Sequence, residues 1–383
     1  MKTLTLTSVC AAVALTLSAC GGGSSSSGPT YVNAGIFTEN AYVTGAAGAI
    51  NQYSINASGG LVPLTTPTVT TGGGVSVSSI VITPNKQFAY ATSTGDNKIY
   101  QFTIGSDGSL TANGSVPTNA PVHAVVDSGS SFLYVSNGGT NATVSEFSIN
   151  PSTGVLTSVG SSSTTGCGAS AYPAGLAINA SALYFVTPSA VCAFALGSLT
   201  TLGTVGTPVA LSVAHGLKAV GSGNNKWITL GSKGLYISDG SNIYEVSKSN
   251  AVPVPTITTA SATTNGTFDT ATVTTYALAG VGNVPVSSVD LYAPAASTVA
   301  QYTLNTTTGV PSALPTPTVA SATGALSFVA IDTTSSYLYA AGATGISQYT
   351  IGSGLTANTN GLLTPNATPS VTGPATPTYI AFR

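Results

Sequence analysis

Residues 79–104, SIVITPNKQFAYATSTGDNKIYQFTI, decide the fold. Three short runs, Ser79-Ile80-Val81-Ile82, Ala89-Tyr90-Ala91-Thr92 and Gln101-Phe102-Thr103-Ile104, are rich in β-branched and aromatic residues and alternate apolar with polar positions. Alternation at period two is the signature of a half-buried strand. Between the second and third run stands Thr94-Gly95-Asp96-Asn97, whose residue types accept the positive φ of a tight hairpin. Outward from this stretch the pattern repeats. The tyrosine strand recurs around Tyr42, Tyr90, Tyr134, Tyr184, Tyr236, Tyr292 and Tyr339, at spacings of 48, 44, 50, 52, 56 and 47 residues. That period fits a four-stranded propeller blade.

A second strand follows each anchor: Gln52-Tyr53-Ser54-Ile55, Gln101-Phe102-Thr103-Ile104, Glu146-Phe147-Ser148-Ile149, Gln301-Tyr302-Thr303-Leu304 and Gln348-Tyr349-Thr350-Ile351. Looser copies are Ala193-Phe194-Ala195-Leu196 and Ile243-Tyr244-Glu245-Val246. An inner strand precedes the tyrosine, as in Val122-His123-Ala124-Val125, and Gly108-Ser109-Leu110 and Gly154-Val155-Leu156 announce outer strands. No segment sustains a helical period. The chain opens near the tyrosine strand of the first copy and closes with Pro377-Thr378-Tyr379-Ile380-Ala381-Phe382, the form of the inner strand that first copy lacks. The expectation is an all-β, seven-bladed β-propeller of four-stranded blades over residues 31–383, closed by pairing of its N- and C-terminal strands, which removes open sheet edges. The blades are least distinct between residues 200 and 290.

The stretch 80–160 resembles the lactonase-type and YVTN-repeat propellers of bacteria. The residues that carry the likeness are Ile82-Thr83-Pro84-Asn85, Phe88-Ala89-Tyr90, Tyr134-Val135-Ser136-Asn137 and Ile149-Asn150-Pro151-Ser152-Thr153-Gly154. The resemblance extends over Tyr31 to Arg383 and weakens between Pro253 and Val284. It implies a 6-phosphogluconolactonase-like fold and, for members of that group, a phosphosugar lactone held at the central channel by His, Glu and Arg side chains. His123, in a Pro-Val-His context on an inner strand, is broadly like a family histidine. The match ends there, because the only arginine is Arg383 and none is left to grip a phosphate bidentately.

The N-terminus reads as an address. Lys2 precedes an apolar run, Val9 to Ala19, that is too short for a comfortable membrane span and ends in Leu17-Ser18-Ala19-Cys20, which looks like a lipobox. Residues 1–19 are expected to be a lipoprotein signal peptide. Residues 20–30 are then the lipidated Cys20 and a Gly/Ser tether, Gly21 to Gly28, with no means of packing. By resemblance to lipoprotein sorting signals, Gly21 rather than Asp after the cysteine implies the outer membrane, so the expected partner is a membrane reached through the lipid on Cys20. Cys167 and Cys192 remain after processing, and in an oxidising compartment they fit one disulfide. Two cysteines without a nearby histidine offer no metal-ligand spacing.

Charged residues make up 5% of the 383 residues, and the lysines stand singly. Nothing clusters to neutralise phosphates, so nucleic acid is an unlikely partner on charge alone. His123 and His215 are the only histidines, 92 positions apart. His123 is the weak catalytic candidate; a general base needs a substrate proton or nucleophile within hydrogen-bond reach. Asp127, Asp239, Asp290 and Asp332 border inner strands and read as turn caps, with cation binding the sharper alternative. Trp227 reads as core. No metal site and no cofactor is expected, and no Cys-x-x-Cys-His marks a haem. The leading expectation is a monomeric, non-catalytic binding or scaffold propeller of the cell envelope, with an envelope protein or glycan as partner. The alternative is a lactonase-like hydrolase working at the central channel.

Overall fold

The period-two runs form antiparallel sheets in the computed structural model, which describes residues 39–138, 142–164, 175–180, 182–187, 191–196, 209–210, 227–230, 235–238, 243–246, 277–280, 289–304, 311–353 and 360–383. The first blade holds β1 (Glu39–Thr44), β2 (Ala49–Ile55) and β3 (Leu61–Thr70). The second holds β4 (Ser79–Ile82), β5 (Phe88–Ser93), β6 (Lys98–Ile104) and β7 (Leu110–Pro117). The third holds β8 (Pro121–Val126), β9 (Phe132–Asn137), β10 (Thr143–Ile149) and β11 (Leu156–Ser163). The fourth holds β12 (Gly175–Ile178), β13 (Ala182–Val186), β14 (Val191–Ala195) and β15 (Val209–Ala210). Of the fifth, β16 (Trp227–Leu230), β17 (Leu235–Ser238) and β18 (Ile243–Val246) are described. The sixth holds β19 (Ala277–Gly280), β20 (Val289–Ala295), β21 (Thr298–Leu304) and β22 (Pro311–Ala320). The seventh holds β23 (Leu326–Ile331), β24 (Tyr337–Gly342), β25 (Gly345–Ser353) and β26 (Asn360–Val371).

The last strand, β27 (Tyr379–Phe382), adds to the first blade and gives the order β27-β1-β2-β3. Its register sets Ala41 opposite Phe382 and Thr44 opposite Tyr379, so the two ends of the propeller share one sheet. Inner strands of successive blades meet in sequence, β27 with β4, β4 with β8, β8 with β12 and β12 with β16, and again β19 with β23 and β23 with β27. Between the first two blades, Tyr42 and Ile50 pack on Ile80, Ala89, Phe102 and Leu110, a core typical of each described blade interface. The exposed outer strands carry prolines, such as Pro63 and Pro67 in β3 and Pro365 and Pro369 in β26. Proline removes ladder donors and blunts an edge against pairing with another chain.

The recurring tyrosine and glutamine are clamps to the next blade. Tyr42, Tyr90, Tyr292 and Tyr339 are fully buried, and each hydroxyl donates to a glycine carbonyl at the head of the following blade's outer strand, on Gly108, Gly154, Gly361 and Gly59. Two residues past each of those glycines a leucine N–H donates to a glutamine Oε1: Leu110 to Gln52, Leu156 to Gln101, Leu363 to Gln301 and Leu61 to Gln348, all at 2.6 Å. Each glutamine sits in a β-bulge against its own outer strand. The bulge turns the Nε2 of Gln52, Gln301 and Gln348 onto the carbonyls of Thr66, Thr316 and Thr368. The glycine is required at Gly154: its φ is +72°, and a Cβ there would lie 2.3 Å from the Phe88 ring. The Gln348 and Tyr339 clamps tie the seventh blade to the first.

Candidate functional site

His123 lies on the inner strand β8 and is 4% exposed. Its backbone and the Ser136 hydroxyl exchange hydrogen bonds, which fix the strand pairing at that point. The Leu176 N–H of the fourth blade donates to Nδ1 at 3.2 Å, and Nε2 lies 3.1 Å from the Tyr379 hydroxyl of the first blade. A backbone N–H can only donate, so Nδ1 is the acceptor and the ring proton sits on Nε2, directed at Tyr379. Burial pushes the imidazole down to about 3, so the ring is neutral at physiological pH. Its basic lone pair is committed to Leu176.

The rings of His123 and Tyr379 lie 5.7 Å apart, and Tyr379 packs at 4.2 Å on Phe328 of the seventh blade. Residues of the first, third, fourth and seventh blades thus meet around His123. His123, Tyr379 and Phe328 form a buried aromatic plug at that point. Hydroxyls stitch the inner strands around it: Thr92 donates to the Val122 carbonyl, Thr94 to Pro121, Thr378 to Val77 and Ser327 to Pro377. Among the described residues none form a group able to hold a metal ion.

Asp127 and Asp332 are turn caps, as their positions implied. Asp127 accepts the N–H groups of Gly129, Ser131 and Phe132, and Asp332 those of Ser336 and Tyr337. Asp290 is different: it is fully buried on β20, and neither carboxylate oxygen has a hydrogen-bond partner of normal geometry. Burial raises it to about 6, with the neighbouring Thr303 hydroxyl pulling the other way. Cys192 is fully buried and disulfide-bonded. Cys20, Cys167, His215 and Asp239 lie outside the described residues, as does the Trp227 side chain, although its backbone is in β16.

A second feature was not legible in the sequence. A cleft of about 840 Å³ opens where the first and second blades meet, lined by Glu39, Asn40, Lys86, Asp107 and Arg383, with Ser54, Leu64, Thr65 and Thr66 among the rest of its wall. Of ten acidic and eight basic residues in the whole chain, two of each gather here. Arg383 follows β27, and its backbone N–H bonds the Asn40 carbonyl. Its Nε donates to the Lys86 carbonyl at 3.2 Å and its Nη1 to the Ser106 carbonyl at 3.5 Å. Glu39 is 5% exposed; Oε1 accepts the Thr333 N–H, Oε2 has no partner, and burial raises its carboxyl above the ordinary range. Asp107 is lowered, first by the Ser109 hydroxyl and N–H and further by Arg383.

Residues 27–170 match the family described as lactonase, seven-bladed β-propeller. Solved structures of the same shape cover nearly their whole length. A protein from Bacteroides uniformis named as a 6-phosphogluconolactonase superposes with a TM-score of 0.68 at 17% identity, over 90% of this chain and 99% of its own. The chain shares the propeller fold of these structures. A Bacteroides fragilis protein of the same name gives 0.68 at 15% identity, over 90% and 98% of the two chains. The periplasmic gluconolactonase of Pseudomonas aeruginosa gives 0.64 at 10%, again over 90% and 98%. No curated protein matches in sequence. At these identities the lactonase-type propeller is shared architecture, and the activity has to be argued from this chain's own site.

Proposed function

We propose that this lactonase-type propeller is a non-catalytic binding or scaffold domain of a bacterial cell-envelope lipoprotein, carried on a lipid at Cys20 and a Gly/Ser tether. The observation that carries the reading is the state of His123. A general base must present a lone pair to a substrate proton, whereas the lone pair of this imidazole receives the Leu176 N–H inside a buried plug. The lipobox-like Leu17-Ser18-Ala19-Cys20 and the flexible run after it support the anchor, with the outer membrane as its address.

A lactonase-like hydrolase is the second reading, favoured by the family match and by neighbours that carry lactonase names. Water attack on a lactone carbonyl would then need a base other than the locked imidazole. The test is a hydrolysis screen of the mature protein in detergent against phosphorylated and neutral lactones, with His123→Gln beside it. The binding reading expects no turnover above background in either protein. Turnover lost in His123→Gln with the fold intact would overturn it. Fractionation of cells that carry Cys20→Ser tests the anchor: the variant should leave the membrane fraction, and a variant retained there would refute lipid attachment at that residue.

A further inference from the structure

Three blades in succession, joined by the Gln301–Leu363 and Gln348–Leu61 clamps, carry the same unpaired element on their outer strands. In the first, Asn51 pairs with Thr68 and Tyr53 with Pro63, so Gln52 alone faces Leu64-Thr65-Thr66-Pro67. In the sixth, Gln301 faces Leu314-Pro315-Thr316-Pro317, and in the seventh Gln348 faces Asn366-Ala367-Thr368-Pro369. The second and third blades differ. Gln101 faces only Asn113 and Gly114, beside Glu146 only Val159 is left over, and neither bulge holds a proline. We propose that Thr66, Thr316 and Thr368 are acceptor sites for O-linked glycosylation.

Each of these threonines is exposed, and so is the proline after it. The fold uses them through their backbone: the glutamine Nε2 groups hold the carbonyls of Thr66, Thr316 and Thr368 at 2.9, 2.8 and 2.9 Å. No hydrogen bond among the described residues engages the three hydroxyls, whereas that of the nearby Thr68 donates to Asn51. Proline has no N–H for a ladder and biases the residue before it towards extended backbone. A transferase that reads its acceptor as an extended segment meets it already in shape, on a strand with no neighbour beyond it. Segments rich in serine and threonine with proline are a composition that carries O-linked sugar. The surface also has a use for it. Eight basic and ten acidic residues in 383 leave little charge to keep molecules apart, and a bulky hydrated group on an open edge blocks pairing with another chain.

In the transfer, threonine Oγ1 attacks C1 of a sugar carried on a phosphate or diphosphate donor. The Oγ1–C1 bond forms as the bond from C1 to the phosphate oxygen breaks. The electron pair leaves with the phosphate, and the hydroxyl proton passes to a base of the transferase. The experiment is electron-transfer fragmentation of digests of the full-length protein, purified in detergent from its own host. Sugar increments are expected on Thr66, Thr316 and Thr368, and none on Thr111, Ser115, Thr157 or Ser161, equally exposed on the outer strands of the second and third blades. Thr66→Val should lose the increment at that position alone. Pro67→Ala, which keeps the hydroxyl, should lower occupancy of Thr66 several-fold and leave the other two sites as they were. An intact mass accounted for by polypeptide and lipid alone overturns the proposal. So do sugars spread evenly over all the outer strands, or unchanged occupancy of Thr66 in Pro67→Ala. The lipid on Cys20 is read from a different peptide, so the anchor and the sugars stand or fall separately.

Discussion

Replacing Asp290 by asparagine should stabilise the protein at neutral pH and make no difference in acid. Asp290 stands two residues before the clamp tyrosine Tyr292 and directly over Gly361, so close that a Cβ on the glycine would lie 2.3 Å from Oδ2. The same place is taken by Asn40 over Gly108, Phe88 over Gly154 and Tyr337 over Gly59. Only at 290, of these four, is the side chain an acid, and burial moves its carboxyl from 3.8 to about 6. A raised acid makes folding less favourable wherever the unfolded chain is ionised and the folded one is not. The penalty therefore grows as pH rises from about 3.8 to about 6 and is constant above that. Over that interval the linkage is worth about 3 kcal/mol, an order-of-magnitude figure, at about 1.4 kcal/mol for each decade in proton affinity.

Asparagine does not titrate, and it has a precedent in the first blade, where the Asn40 Nδ2 donates to the Asp107 carbonyl at 3.4 Å. An amide at 290 would be placed to reach the carbonyl that precedes Gly361 in the same manner. The assay is urea unfolding of wild type and Asp290→Asn at pH 4, 5, 6 and 7.5, with the slope checked for constancy between the two proteins. The midpoint of the variant should exceed that of wild type at pH 7.5, and the gap should shrink through pH 6 and 5 and close near pH 4. A gap that does not change with pH would refute the reasoning, since it would mean that ionisation of this carboxyl is not what costs stability. A variant no more stable than wild type at pH 7.5 would refute it equally.

His123 should act in the opposite direction: its folded value near 3 lies below the ordinary 6.5, so its share of stability is complete above pH 6.5 and drains away as pH falls towards 3. Nitrogen NMR of the ring should show a neutral Nε2–H tautomer down to pH 4, and a ring that titrates near 6 would mean that the plug is not sealed. Gly154→Ala should cost about 3 kcal/mol or more in urea unfolding, from positive φ together with contact against Phe88, and a neutral result would discredit the clamp geometry. Gln101→Ala should cost about 1–3 kcal/mol because it leaves the buried Leu156 N–H without an acceptor. Mass spectrometry of an unreduced digest should link Cys192 to Cys167, and reduction should lower stability by about 3 kcal/mol; Cys192 joined elsewhere would refute the pairing.

The strands were legible because each blade solves the same packing problem with the same residue types in the same order. The inner strand read as Ser79–Ile82 coincides with β4, and the strand recognised at residues 377–382 does pair with the first blade. The purpose of the repeat was not legible. Tyr90 and Gln101 looked like core and strand residues, yet their polar atoms serve the next blade, at Gly154 and Leu156, more than fifty residues on. A relation between repeats leaves no mark inside one repeat. The cleft was hidden for a related reason: Arg383 reads as a lone terminal charge until β27 returns it to the side of Lys86 and Asn40.

This difference directs where function is to be sought in such a chain. Where the pattern is kept, the polar groups are spent on clamps: each conforming glutamine already holds a leucine N–H and each conforming tyrosine a glycine carbonyl. A residue so committed could turn to a ligand only by sharing or giving up its clamp. The informative places are those where the pattern breaks towards charge. Glu146 occupies the glutamine position of the third blade, and its buried Oε1 lacks a partner while burial raises the carboxyl. Asp290 occupies a place that three other blades fill with an amide or an aromatic ring. Glu39 immediately precedes Asn40, at a place held by Gln87 in the second blade and Ser131 in the third. Neutral residues serve the same architectural places in the sister blades, so the ring does not require these three acids to be charged. Asp290 and Glu146 have only burial and the next blade to answer to, and their neutral isosteres should be tolerated or better. Glu39, whose carboxylate turns to the Thr333 N–H of the seventh blade and keeps its second oxygen buried, answers to burial in the same way.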